Sequence, residues 1–443
     1  MDAPKTAWLL DCLQRYWPKN TEPVAALPVA LHKEQPTESL ELCAVALPEW
    51  AAHLGVDIDG LALPGLLVPV HSLPGVSKGA KPDWENVDWW EAAFWYLSGH
   101  GEWTHEQENG PIHSYAFRLK SFDSRVWDRA WVNRIGLFLR CWAARIAERD
   151  EEELFGPLPD PEIVLSHDVD AVSKTLPVRV KQSAFHGFNA VRALLRFDPG
   201  QAMAKIAKGL SFLLGPGDYL HIARVQQLEE MHGLSSVFHF YGGPGGYGRP
   251  PHTVLLDPMY RVDKRPVLAA LQELHARGWT VGLHPAYASW ADPDSLRQEK
   301  ERLESALEAP VTHCRQHWLR FSWQHTWQAQ IQAGLSHDST LGFNDRPGFR
   351  TGAALAFSPW DHEQGKPLAL IATPLVAMDS HFFDYGQYVD DQARLAALLH
   401  WVDEIETVCG VGSVCWHQRV WSRDYGWGRV YEELLQHLAP IGA

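Results

Sequence analysis

Residues 163–170 read Ile-Val-Leu-Ser-His-Asp-Val-Asp. A short apolar run leads straight into two carboxylates, the pattern of a buried strand that ends at a functional rim. Two acids at a strand mouth suit a hydrolase, because one can hold a metal while the other takes a proton from water. An Asx-type turn is the competing reading of this string alone.

The same signature recurs downstream. Gly282-Leu283-His284-Pro285 ends one apolar run, His313-Cys314-Arg315-Gln316-His317-Trp318 follows a second, and Val414-Cys415-Trp416-His417 closes a third. Runs at 163–167, 236–241, 279–284, 311–315, 368–376 and 411–417 read as strands. Between them, 219–232, 267–277, 293–307 and 392–407 carry helical periodicity. Such alternation predicts an α/β barrel or open parallel sheet with its site at the C-terminal strand ends. Four strands then deliver Asp, His or Arg to one rim, where core packing alone would leave apolar residues.

Composition narrows the classes of function. The 443 residues carry 46% hydrophobic and 21% charged side chains, which describes a folded chain of two or three domains. A net charge of −15 argues against nucleic acid as a partner. Six scattered cysteines without CxxC pairs fit a reducing compartment. Asp11 interrupts the only apolar stretch near the N-terminus, and no run approaches the roughly 20 residues a membrane span needs. The expectation is a soluble, cytoplasmic protein.

Residues 1–155 mix Pro-rich stretches with helical candidates at 88–99 and 127–149, and an acidic, Pro- and Gly-containing cluster at 150–160 reads as a linker. The expected division is a smaller α+β accessory domain over 1–155 and a catalytic domain over 156–443. The N-terminal tryptophans, Trp84, Trp89, Trp90 and Trp95, are expected in a core rather than against sugar rings. A basic helical insertion at about 174–215 stands out: seven Lys and Arg face one acid, Asp198, between 171 and 217. A surface helix pair docking on the acidic N-terminal unit is its plain reading; contact with anionic lipid or a lipid-linked phosphate, weakened by removing Lys205 and Lys208, is the alternative. The glycine-rich stretch 242–248 lacks the GK[ST] of a phosphate loop and reads as a lid or turn.

Taken together, these strings resemble the NodB-homology polysaccharide deacetylases, or carbohydrate esterase family 4, over about 161–420. The spaced Asp168-Val169-Asp170 resembles the branch whose first motif reads HDVD, as do LHPAYAS at 283–289, RQHWLRFS at 315–322 and DSTLGFNDRPGFR at 338–350. The resemblance implies a NodB-like distorted (β/α) barrel. It casts Asp168 as base, Asp170 and His284 as metal ligands, Arg315 as the brace of the base, and His417 as general acid. In that family a second ligand histidine follows the first by four residues, and here the position is Ala288. His317, two residues beyond Arg315 near a strand end, is the expected replacement, with His313, His381 or a substrate atom as alternatives. Asp338 and Arg350 are expected at the rim.

One carboxylate and two imidazoles leave positions open on a divalent ion, which suits a catalytic site; zinc leads, with cobalt and nickel as alternatives. The implied activity is removal of an N-acyl group, foremost N-acetyl, from a saccharide or lipid-linked glycan precursor in bacterial surface polysaccharide biosynthesis. A catalytically silent glycan-binding protein and an amidohydrolase of small non-sugar amides are the competing expectations.

Overall fold

A computed structural model describes residues 3–30, 41–73 and 82–439. The N-terminal part begins with helix α1 (Ala3–Cys12), followed by an antiparallel pair, β1 (Leu42–Ala46) and β2 (Gly65–Pro69). Helices α2 (Trp89–Leu97) and α3 (Trp131–Ile146) pack behind that pair. The Asp88 carboxylate caps α2 by accepting from the Glu91 amide, which satisfies one of the free donors of the first turn. Every residue of α2 is buried, including Trp89, Trp90 and Trp95, so these tryptophans belong to the core.

Residues 156–161 carry the chain into β3 (Glu162–Val169). Two helices then project as a hairpin, α4 (Leu176–Leu195) and α5 (Pro199–Leu214), over the span where the basic helical insertion is expected. The barrel resumes with α6 (Ile222–Met231), β4 (Ser236–Phe240), α7 (Val267–Ala276), β5 (Thr280–Leu283), α8 (Pro293–Leu307), β6 (His313–Cys314), α9 (Thr326–Gln332) and β7 (His337–Asp338). A small antiparallel pair, β8 (Trp360–Asp361) and β9 (Lys366–Pro367), precedes β10 (Ile371–Ala372) and β11 (Leu375–Met378). Helix α10 (Asp391–Thr407), β12 (Val411–Cys415) and α11 (Gly428–Leu438) complete the described chain.

Eight strands form one parallel sheet in the order β10-β7-β6-β5-β4-β3-β12-β11. Its two edge strands are consecutive in sequence and separated only by Thr373 and Pro374. Two residues reach less than about 11 Å, so the sheet must curl until its edges face each other. The expected single strand over 368–376 is therefore two short strands on opposite edges, and the link satisfies both sides: Thr373 donates to the Asp338 carbonyl and the Pro374 carbonyl accepts from Ser413. Val411 pairs beside Glu162, which inserts the last strand next to the first strand of the barrel.

The hydrophobic cores do not follow the expected division at 155. One continuous buried cluster joins Trp8, Tyr16, Trp89 and Phe138 to Phe321, Trp327, Phe349 and Val376. Buried polar contacts cross the same junction. Arg134 donates to both oxygens of Glu404 on α10 (2.8 and 2.7 Å), Arg350 pairs with Glu102 (2.6 and 3.0 Å), and Asn133 is bonded to Ala354 through both amide atoms. All six cysteines are free, and no described helix is long and apolar enough to cross a membrane.

Candidate active site

Strand alternation sorts the opening motif. His167 turns outward to a buried network, 2.7 Å from Glu229, whose other oxygen accepts from Ser236 and Trp279. Ser166 and Asp168 turn inward, where the Arg315 guanidinium lies completely buried. It donates to Ser166 (2.9 Å), Asp168 (3.2 Å), Ser413 (3.0 Å) and the Ser339 carbonyl (3.0 Å), so one side chain ties β3, β6 and β12 together. His239 Nδ1 stands 3.2 Å from the same Asp168 oxygen. Burial raises the pKa of Asp168, but Arg315, His284 and His239 outweigh it and hold the carboxyl well below the usual carboxylate range. Burial and the Arg315 charge press His239 down to about 3, so its ring stays neutral.

Beyond the strand end, Asp170, His284 and His317 converge. Asp170 Oδ1 is 3.2 Å from His284 Nε2 and 3.3 Å from His317 Nδ1, and those two nitrogens are 2.8 Å apart. The outer nitrogens fix the tautomers: His284 Nδ1 donates to the Arg315 carbonyl (2.7 Å) and His317 Nε2 to the Leu256 carbonyl (2.8 Å). On the inner side two imidazole nitrogens and a carboxylate oxygen point at one another, and Asp170 Oδ1 has no hydrogen-bond donor among the described residues. Burial lowers the pKa of His284, but Asp168 and Asp170 outweigh it and raise that pKa, so the cluster favours positive charge. Electron-rich atoms held together in this way leave a place for a cation. Ligands about 2.1 Å from an ion stand roughly 3.0 Å apart at right angles and 3.4 Å apart in a tetrahedron, close to the observed spacings. The backbone carbonyls that fix the rings are the outer support such ligands need. The three residues fit a divalent ion.

Across the cavity His417 leaves β12. Its amide donates to Asp379 Oδ2 (2.7 Å) and its Nδ1 to the same carboxylate (2.9 and 3.0 Å), so Nε2 is turned toward Asp170, 3.5 Å from Oδ2. Arg419 forms an ion pair with that second Asp170 oxygen. The intervening space, about 180 Å³, is walled by Tyr115 from the N-terminal part, by Lys181, Gln182 and Phe185 from α4, and by Trp318 and Asn344.

All six sequence-expected residues thus meet at one rim, and His317 rather than residue 288 completes the triad. Ala288 stands at the start of a short turn whose Ala286 amide and Ser289 hydroxyl are bonded to Glu299. The other stand-ins lie elsewhere. His313 stacks on His337 (4.4 Å), while His381 is bonded to the Met378 amide and the Phe343 carbonyl.

Two expectations are corrected. Asp338 is not at the rim but buried, accepting from Trp327, Gln330 and Thr340, and Arg350 is consumed by Glu102, Ser114 and the Gly342 carbonyl. Both charges hold segments together rather than meeting a ligand. Three residues escaped the sequence reading: His239, Asp379 and Arg419. Asp379 had a signal, since it follows the apolar run Leu375–Met378 as Asp168 follows its own.

No family model and no curated protein matches the chain. Among solved structures it is similar to a protein from Mycobacterium smegmatis assigned as a polysaccharide deacetylase, with 14% identity, a TM-score of 0.38, and coverage of 65% of this chain and 87% of that one. It is also similar to a mutant of a CE4-family pseudoenzyme with restored enzymatic activity, with 8% identity, a TM-score of 0.30, and coverage of 63% and 64%.

Proposed function

We propose that the chain is a metal-dependent hydrolase that removes an N-acyl group, foremost N-acetyl, from a saccharide or glycan precursor. The observation that carries this reading is the convergence of Asp170 Oδ1, His284 Nε2 and His317 Nδ1 within 3.3 Å, beside an ionised Asp168 and a carboxylate-held His417. Asp170, His284 and His317 would hold a divalent ion, zinc before cobalt or nickel, which supplies Lewis acidity toward a carbonyl oxygen and acidifies water. Asp168 accepts the proton of the attacking water, and Arg315 keeps its carboxylate ionised and aimed. His417 presents Nε2 to the cavity because Asp379 holds Nδ1, which suits it to donate a proton to the departing nitrogen. Asn344 and Tyr115 stand on the wall where a sugar would lie.

A second reading, a glycan-binding protein without chemistry, rests on Arg419. Its guanidinium pairs with Asp170 and competes there with a cation. Metal content measured by mass spectrometry after zinc loading and desalting separates the two. The hydrolase reading expects one ion per chain, lost in Asp170→Asn and in His317→Ala, and release of acetate from N-acetylated amino sugars carried on nucleotide or lipid. Wild-type protein that retains no metal turns the assignment to glycan binding.

A further inference from the structure

The α4–α5 hairpin has two unlike sides. Its inner side is committed: Lys181, Gln182 and Phe185 line the catalytic cavity, Lys181 Nζ stands 4.9 Å over the Trp318 ring, and Lys208 Nζ stands 5.8 Å over Trp427. The charges of Lys205 and Lys208 also lower the Asp384 carboxyl, whose pKa burial raises to about 6.

The outer side is apolar over its whole length. On α4, Leu176, Val180, Phe188, Val191 and Leu195 recur at the spacing of one helix face, and all are exposed. On α5, Met203, Ile206, Leu210 and Leu213 do the same. Leu194 near the end of α4 and Phe197 in the turn extend the face, the latter 93% exposed. Over half of the large hydrophobic side chains exposed among the described residues lie on these two helices and their turn. Scattered exposed leucines are ordinary, but a contiguous face of this size marks an interaction site. Arg192 and Arg196 flank the tip, both exposed and without an ion pair among the described residues, and Asp198, the only nearby acid, is used as the cap of α5.

We infer that this hairpin docks the protein on an anionic lipid bilayer, lying flat in the interface with its apolar face among the acyl chains and its two arginines at the headgroups. Charge selects the occupant. Residues 171–217 carry seven basic side chains against one acid, so the hairpin is positive in a chain that is acidic as a whole, and a symmetric second copy would set the same arginines against each other. An anionic leaflet attracts the positive tip and accepts the apolar face, the combination that holds amphipathic helices at a membrane surface. Because the inner side of α4 walls the catalytic cavity, docking brings that cavity to the membrane. The surface stands whether or not the chemistry proposed above is correct.

The test is co-sedimentation of the full chain with vesicles of phosphatidylcholine alone and with one-third phosphatidylglycerol, at low and high salt. The protein should pellet with the anionic vesicles, more weakly as salt rises. Replacing Leu195 and Phe197 together by Ser should abolish pelleting while circular dichroism and solution mass stay unchanged, since neither side chain is in the core. Arg192→Gln with Arg196→Gln should weaken binding by about fivefold per arginine. Three results overturn the inference: wild-type protein that stays in the supernatant with anionic vesicles, binding indifferent to the Leu195 and Phe197 pair, or a solution dimer that this pair dissociates in a protein that ignores vesicles.

Discussion

His417 and Asp379 illustrate how much one side chain owes to its neighbour. The carboxylate receives both the backbone amide and the ring Nδ1 of His417, so the imidazole can rotate little and its free nitrogen has one direction. Replacing His417 by Ala should lower kcat for deacylation by about 10²- to 10⁴-fold with metal content unchanged, the range for loss of a general acid. Asp379→Asn should retain metal and fold but lose part of that rate, because an amide offers the ring a donor where it needs an acceptor. Equal metal loss in both variants would instead make His417 a ligand. The six expected residues were legible because each stands just beyond an apolar run. Asp379 stands in the same relation, but the sequence reads its run as the end of one long strand, 368–376. His239 lies between Phe238 and Phe240 and therefore reads as core. Arg419 meets Asp170 only through the chain's return to the rim, and nothing local announces that.

At the scale of elements, long helices follow their pattern closely: α8 occupies the 293–307 expected of it, and α10 begins one residue before expectation. Two-residue strands such as β7 do not, because their pairing is dictated by neighbours in space. Helix α8 also supports the site. Its Glu299 carboxylate accepts from the Ala286 amide and the Ser289 hydroxyl, which pins the loop leaving His284. Burial, followed by the weaker lowering from those hydrogen bonds, leaves Glu299 at about 7, above its ordinary 4.5. The folded state therefore keeps a proton that the unfolded chain releases. Stability from this group is full below about pH 4.5 and declines as pH rises to 7, by about 3 kcal/mol in all. Glu299→Gln should remove that decline, so urea unfolding should find the variant near wild type at pH 5 and more stable than wild type at pH 8. A variant with the wild-type pH slope would mean that Glu299 is ionised in the fold.

Across the whole molecule, the N-terminal part and the barrel share one hydrophobic cluster and several buried ion pairs. Composition suggests a boundary near 150–160 but does not say which apolar faces pack together, since that depends on contacts hundreds of residues apart. Glu102→Gln should cost about 3–5 kcal/mol by leaving Arg350 charged and half-partnered in the interior, read as a fall in urea midpoint. A chain starting at residue 156 should aggregate, because removal of Trp89 and Phe138 bares the barrel's side of that cluster; a soluble, cooperatively melting fragment would show that the two parts are separable. The order of strands has a consequence for synthesis on the ribosome. Strand β3 carries Asp168, yet one of its two partners, β12, is residues 411–415. At about 5–20 residues per second, that flank of β3 stands unpaired for a time on the order of tens of seconds while the intervening chain is made. An open strand edge is sticky for that long, so yield should depend on translation speed and on chaperones that shield nascent chains.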